Sequence, residues 1–359
     1  VTSLRRVLVV GTGLIGTSVA LALRERGVTV LLADRDPLAV RLARELGAGE
    51  EWADDGPVDL AVLAMPPQAV APELLRLQKD FVARFYTDVA SVKALPVAGA
   101  EQLGCDMHTY IPGHPLAGRE RSGPAAARAD LFLGRPWALC PTSETAPQAV
   151  AAARELVELC GGKAVEVDAG THDEAVAVIS HAPHVAASAV AARLATASET
   201  ALGLAGQGVR DVTRIAAGDP ALWTGILSGN AAPVASVLEA VAADLAEAAA
   251  ALRALSSGDD TAGERVTALL ETGVQGQGRI PGKHGGPATT YATVQVVIGD
   301  RPGELSRLFQ AARDAGVNIE DIRLEHTQGL PLGVAELSVR PDAAAVLAES
   351  LRSHGWQLP

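Results

Sequence analysis

Aromatic residues are scarce in this chain: Phe, Trp and Tyr together make up 3% of 359 residues, while 48% are hydrophobic. Few large rings are on hand to fill space, so the cores must be built from Ala, Val and Leu on closely packed helices and strands. Cysteine is sparse too. Cys105, Cys140 and Cys160 are odd in number and share no CxxC spacing, which argues against a disulfide framework or a zinc site and fits thiols kept reduced in the cytoplasm. Positive charge is in deficit, and a net charge of −12 opposes attraction to phosphate backbones or anionic lipid, so neither nucleic acid nor a membrane is an expected partner. The longest uncharged run, 175–192, has the length of a short membrane span, yet it contains His181, Pro183 and His184 and is rich in alanine, which predicts a buried helix instead. The opening segment VTSLRRVLVVGTG passes directly into a strand and a glycine loop, so a cleavable signal peptide is not expected.

What is present is length and alternation. At about 150 residues per domain the chain has material for two or three. An apolar run over 5–10 ends at Gly11, helical periodicity follows over 14–26, and 28–33 is β-rich again, a βαβ unit. Strands at 59–65 and 85–91 and a crossover helix at 91–103 continue the alternation, which implies a doubly wound, mostly parallel sheet of Rossmann type over 1–169. Strand-like runs at 107–111, 136–140 and 163–167 are expected to extend it with an antiparallel part. Strand signals vanish over 170–272, where alanine-rich helices such as 231–255 predict an all-α domain too apolar to cover itself, and therefore a homodimer. The Gly- and Pro-rich stretch 273–288 predicts a linker or an exposed hairpin. Residues 289–359 follow a βαββαβ order, a third, small α+β domain.

GTGLIG at 11–16 lies between a strand and a helix. Gly11 can make the tight turn, Gly13 lets the backbone approach a pyrophosphate, Gly16 lets helix and strand pack closely, and the N–H groups from Leu14 and Ile15 open the helix on which phosphates rest. An acid about 20 residues on completes the dinucleotide fingerprint. That acid is Asp34, whose carboxylate can accept from an adenosine ribose and would repel a 2′-phosphate, favouring NAD over NADP; the neighbouring Arg35 could instead welcome that phosphate.

His114, among turn residues at the end of a strand, lies on the edge where such sheets bind ligands and is a candidate acid or base, and Ser91 lies on the same edge. His172, His181 and His184 fall within 171–184; a metal site is the rival reading there, but no cysteine cluster or HExxH accompanies them. In 209–230, Arg210, Asp211 and Arg214 carry charge through an apolar helical pattern. At three- and four-residue spacing Asp211 could aim Arg214 at an anionic ligand, or the pair could be an internal salt bridge.

Taken in order, GTGLIGTS (11–18), TDVASVK (87–93), GHPLAG (113–118), FLGRPWALCP (132–141), THDE with SHAPH (171–184) and RDVTRIAAGDPALW (210–223) resemble the prephenate dehydrogenases, NAD-linked enzymes of tyrosine biosynthesis, over about 5–270. The resemblance implies oxidative decarboxylation of prephenate to 4-hydroxyphenylpyruvate. His114 would be the catalytic histidine with Ser91 beside it at the substrate hydroxyl, Arg214 the carboxylate-binding arginine, His181 and His184 pocket histidines, Glu120 an acidic gate and Trp223 a pocket residue. Residues 289–359, with DRPGEL at 300–305, resemble an ACT domain, a ligand-sensing module. Its effector, tyrosine by implication, would meet free backbone donors around Asp300, Gly303, Glu304 and Leu305 and near Asn318. Arogenate dehydrogenase on the same frame, and a non-catalytic nucleotide or amino-acid sensor, are the alternatives.

Overall fold

The computed structural model describes residues 3–53, 56–117, 123–281, 290–326 and 331–359. The chain divides into two compact units, 1–243 and 244–359.

The first unit opens with β1 (Arg6–Val10), α1 (Leu14–Glu25), β2 (Thr29–Ala33), α2 (Pro37–Glu45), β3 (Glu50–Glu51), β4 (Val58–Leu63), α3 (Pro67–Lys79), β5 (Ala83–Asp88), α4 (Ala94–Gln102) and β6 (Tyr110–Ile111). Six parallel strands stand in the order β3-β2-β1-β4-β5-β6, the Rossmann order. The central strands are apolar on both faces because helices cover both, and Val7, Leu8, Val9, Leu60, Val62 and Leu63 are fully buried. Strand order reverses between β1 and β4, so the loops after these two strands diverge and leave a crevice at their carboxyl ends.

Of the three runs expected to extend this sheet with an antiparallel part, 107–111 does join it, as the parallel strand β6, and the other two do not. β7 (Gly113–Pro115), β8 (Pro136–Leu139) and β9 (Lys163–Glu166) form a separate three-stranded sheet, antiparallel between β7 and β8 but parallel between β8 and β9, with α5 (Pro147–Leu159) as the crossover. Pro112 ends β6 and removes an N–H, so the chain leaves the large sheet before His114.

Helices follow: α6 (Ala169–Val176), α7 (Ala182–Leu194), α8 (Glu199–Gly203), α9 (Gln207–Thr213) and α10 (Pro220–Gly229). Asp168 caps α6 by accepting from Thr171 N at 2.9 Å, and Asp219 caps α10 through Leu222 N at 2.7 Å. A π turn, Ala177–His181, joins α6 to α7 without a break, giving one 26-residue helix over Ala169–Leu194. That helix is less enclosed than its sequence predicts: a third of its apolar window is buried, and Val178 and Ile179 are exposed in the single chain. Next come α11 (Ala231–Ser256) and α12 (Gly263–Gly278). α12 runs through Gly273–Gly278, where composition predicts linker, so that part of the expectation is also corrected; the rest of the stretch, from 282 to 288, lies outside the described residues.

The second unit ends in β10 (Ala292–Gly299), α13 (Glu304–Asp314), β11 (Asp321–His326), β12 (Leu332–Val339) and α14 (Pro341–Ser353). β12 pairs antiparallel with both β10 and β11. Val294, Val296, Leu308, Leu337, Leu347 and Leu351 form its core. A last strand is not formed among the described residues. Its place beside β10 is marked by one backbone bond, Val297 N to Gln357 O at 2.9 Å, with Trp356 buried next to it.

Candidate active site

A cavity of about 620 Å³ opens at the carboxyl ends of the large sheet, within the size range of small-molecule and cofactor sites. Gly13, Leu14, Ile15 and Gly16 line it after β1, Ala64–Pro67 after β4 and Val89–Ser91 after β5; His114, His181 and Trp223 close it from beyond the sheet. The glycines have separate tasks. Gly11 has φ +103°, and a Cβ there would sit 2.1 Å from the Ala64 carbonyl oxygen; a Cβ on Gly16 would sit 1.9 Å from the carbonyl oxygen of Gly11. A Cβ on Gly13 would meet nothing within 4 Å, so at this point the backbone and the N-terminus of α1 face open space that a phosphate-bearing ligand can approach. The residues present therefore fit a dinucleotide. Asp34, at the end of β2, does not line the cavity; its carboxylate is aimed by Thr12, which donates from N at 2.6 Å and Oγ1 at 3.1 Å, and by Asp36 N at 2.9 Å.

His114 is held from behind. Its Nδ1 lies 2.9 Å from His172 Nε2, and His172 Nδ1 lies 2.7 Å from Asp173 Oδ1. Asp173 also accepts from the backbone N–H of Lys93 at 2.8 Å and of Ala94 at 2.9 Å. A carboxylate only accepts, so His172, when neutral, carries its proton on Nδ1 and offers a bare Nε2; His114 then donates from Nδ1, which leaves its own Nε2 bare. Lys93 is fully buried, with Nζ on Asp88 and on the Gly113 carbonyl oxygen at 2.5 Å. Asp88 further accepts from Tyr110 Oη at 2.6 Å and Ala90 N at 2.8 Å. Burial, then the Lys93 ammonium, His172 and His181, hold His114 well below the ordinary histidine range. Ser91 lines the same cavity without a hydrogen bond to His114 among the described residues.

His181 offers the opposite polarity. Asn230 Nδ2 donates to the Asp173 carbonyl oxygen at 2.7 Å, which orients the amide, and the same nitrogen is 3.1 Å from His181 Nδ1. Nδ1 is therefore the acceptor, and Nε2–H of His181 is a donor. Burial pushes its pKa down to about 4, so the donor is neutral. His184 stacks on Trp223 with ring centroids 3.6 Å apart and does not itself line the cavity. The seat of the indole is Gly218, where a Cβ would lie 2.5 Å from Trp223 Nε1.

Arg214 is not among the cavity-lining residues. α9 stops at Thr213, and Arg214 begins a 3₁₀ turn, Arg214–Ala217, packed on α7. Among the described residues Asp211 accepts from Gln207 at 2.8 Å and forms no salt bridge with Arg214, so the expected aiming by Asp211 is corrected. Glu120 lies outside the described residues, as does Arg119. In the second unit Asp300, Gly303, Glu304 and Leu305 line a separate cavity of about 280 Å³ before α13. Asn318 is not part of that lining; its amide donates to Glu320 at 2.7 Å.

Sequence reasoning did not assign Asp88, Lys93, Asp173 or Asn230 to the site. Lys93, in the loop between β5 and α4, could not be read as buried without its partners, but the adjacent pair His172 and Asp173 was a usable signal, since a histidine next to an acid can have its tautomer fixed.

A parallel sheet of Rossmann order, with a glycine turn at its switch point and a histidine facing the same cavity, defines a dinucleotide-binding α/β protein. Comparison with known proteins narrows the class. The family model described as prephenate dehydrogenase, nucleotide-binding domain, matches residues 19–166, and the one described as prephenate dehydrogenase, dimerization domain, matches 168–271. A protein named "Probable prephenate dehydrogenase NovF", from Streptomyces niveus, is 42% identical over 98% of this chain and 99% of its own. Among solved structures, Aquifex aeolicus prephenate dehydrogenase in complex with hydroxyphenyl propionate and NAD⁺ aligns with TM-score 0.67 and 26% identity over 77% of this chain and 98% of that one. Synechocystis arogenate dehydrogenase aligns with TM-score 0.62 and 30% identity over 76% and 99%. The chain belongs to the prephenate dehydrogenase family.

Proposed function

We propose that this protein oxidatively decarboxylates prephenate to 4-hydroxyphenylpyruvate with reduction of NAD. The observation that carries this reading is the pairing in one cavity of a glycine turn open to a dinucleotide with a bare imidazole nitrogen on His114. Bound at the glycine turn, NAD supplies the oxidant for the ring carbon that bears the hydroxyl. His114 Nε2 accepts the hydroxyl proton, with Ser91 beside it to position that oxygen, while the ring carboxylate leaves as carbon dioxide and the ring becomes aromatic. His181 Nε2–H, a neutral donor, and Trp223, braced by His184, hold the other side of the ring. Arg214, in the turn packed on α7, takes a substrate carboxylate. Asp34 selects NAD at the ribose.

The helices of 170–272 form the substrate and dimerisation domain, and their exposed apolar side chains, Leu204 at 82% and Val178 at 57% among them, are what a second copy would cover in a cytoplasmic homodimer. Residues 289–359 form an ACT-like domain, with tyrosine as the effector in the 280 Å³ cavity. Its support is the order of elements and the backbone before α13.

The test is NADH production by the purified chain from prephenate and from arogenate, with NAD and with NADP. Faster turnover of arogenate would favour the second reading, which the Synechocystis neighbour recommends. No turnover of either by a folded protein would leave a nucleotide-binding sensor. Tyrosine should shift the apparent affinity for prephenate about 5- to 150-fold, and Leu305→Asp should abolish that shift while sparing turnover.

A further inference from the structure

The hydrogen-bonded series His114–His172–Asp173 is buried at its far end. His172 and Asp173 are each 3% exposed, and Asp173 terminates the chain on two backbone N–H groups at the start of α4, those of Lys93 and Ala94. We infer that His172 and Asp173 are positioning residues that lock His114 in the Nδ1–H tautomer, so that the nitrogen facing the cavity is always the one able to take a proton. This rests on the proposed role of His114 as base.

With His172 neutral, the alternative tautomer is excluded by arithmetic on donors; a His172 imidazolium, donating from both ring nitrogens, would admit it, and ¹⁵N-labelled histidine spectra read that state as well. If His114 carried its proton on Nε2, its bare Nδ1 would need a proton on His172 Nε2, and the bare Nδ1 of His172 would then face an Asp173 oxygen at 2.7 Å with no proton between them. Two buried acceptors in contact leave both unpaired, at the cost of a buried polar group without a partner. Asp173 cannot swing away to relieve this, because both of its oxygens are engaged by the backbone at the start of α4. The same Lys93 whose N–H holds Asp173 uses Nζ to hold the carbonyl of Gly113, the residue before His114. One residue thus ties both ends of the chain to one loop. A Cβ on Gly113 would lie 2.8 Å from the Asp88 carbonyl oxygen, so the backbone passes this loop as closely as it can.

The experiment reads the tautomer directly and then its kinetic consequence. In the full-length wild type, ¹⁵N-labelled histidine spectra, assigned by the signal missing from His114→Gln, should show His114 protonated on Nδ1 and bare on Nε2 at neutral pH; the Nε2–H form would overturn the proposal. Asp173→Asn, which can turn an amide donor toward His172 and reverse both tautomers, and His172→Leu, which removes the acceptor, should lower kcat about 10²–10⁴-fold with KM within about threefold of wild type. His172→Gln, whose carbonyl oxygen can accept from His114, should recover at least about tenfold over His172→Leu. Equal loss in the Gln and Leu variants at equal unfolding midpoints, or a loss carried by KM, would overturn the positioning role. Should a variant fail to fold, the wild-type spectrum still decides. Full activity in His114→Asn would sink the base assignment instead, and the tautomer measurement tells that failure apart from this one.

Discussion

Lys93 Nζ donates to the Gly113 carbonyl oxygen at 2.5 Å, placing a fully buried ammonium one residue before His114. The same ammonium pairs with Asp88, which is also fully buried. Removing one partner of such a pair leaves a charge uncompensated, so Lys93→Met should lower the unfolding free energy by about 3–5 kcal/mol in urea titrations. Adding Asp88→Leu should recover part of it. A single-variant loss below about 1 kcal/mol would mean that water reaches Asp88.

His114→Asn should keep substrate and cofactor binding and lower kcat about 10²–10⁴-fold, the range for a positioned general base. Steady-state kinetics with prephenate and NAD checks this. Near-normal turnover at neutral pH would remove His114 from the mechanism.

The pH dependence follows from the groups around that ring: Lys93 from the loop before α4, His172 and Asp173 from α6, and His181 from the π turn. Burial and the Lys93 charge depress the His114 pKa, so the base is neutral at and above pH 6.5 and the acid limb of kcat/KM should fall below that value. Stability carries a related signature. His181 titrates at about 4 when folded and 6.5 when not, so as pH falls from 6.5 toward 4 the unfolded chain binds a proton that the folded chain refuses, and stability drops through that window. The urea midpoint of His181→Gln should fall less over the same range.

Two glycines three residues apart should fail differently. Gly13→Ala meets no atom within 4 Å and should fold normally, but its methyl enters the space the dinucleotide needs, which should weaken NAD by about 5- to 150-fold in a binding titration. Gly16→Ala places a methyl 1.9 Å from the Gly11 carbonyl oxygen, and should lower the melting temperature as well. Equal stability of the two variants would show that the turn can open.

Residues 5–103 could be read from sequence because a parallel sheet buried on both faces writes itself as uninterrupted apolar runs punctuated by glycine turns. Ser91, His114, His181 and Trp223, singled out by motif, do line one cavity with Gly13 and Gly16. The small sheet was harder: β8 and β9 were legible as strand-like runs, but β7 has three residues, too few for a period, and the pairing of the three depends on a proline exit that no local pattern encodes. The buried network behind His114 was unreadable for another reason. Asp88, Lys93, Tyr110 and Asp173 are separated by up to 85 residues, and only the folded sheet edge brings them together. For Arg214 the spacing argument chose Asp211 as its partner, whereas that carboxylate accepts from Gln207, four residues earlier.

The π turn at Ala177–His181 makes the length of its helix part of the site. In a regular α-helix, at about 100° per residue, His172 and His181 would point in nearly opposite directions, because nine steps amount to two and a half turns. A π turn absorbs about one residue without advancing the helical phase, which brings the two to within about 80°. Asn230 can then bridge the Asp173 carbonyl and His181. Deleting one residue from this turn should restore a smoother, better-bonded helix while rotating everything after it, including the face of His184 on which Trp223 stacks. Local regularity and a working cavity are in this helix mutually exclusive.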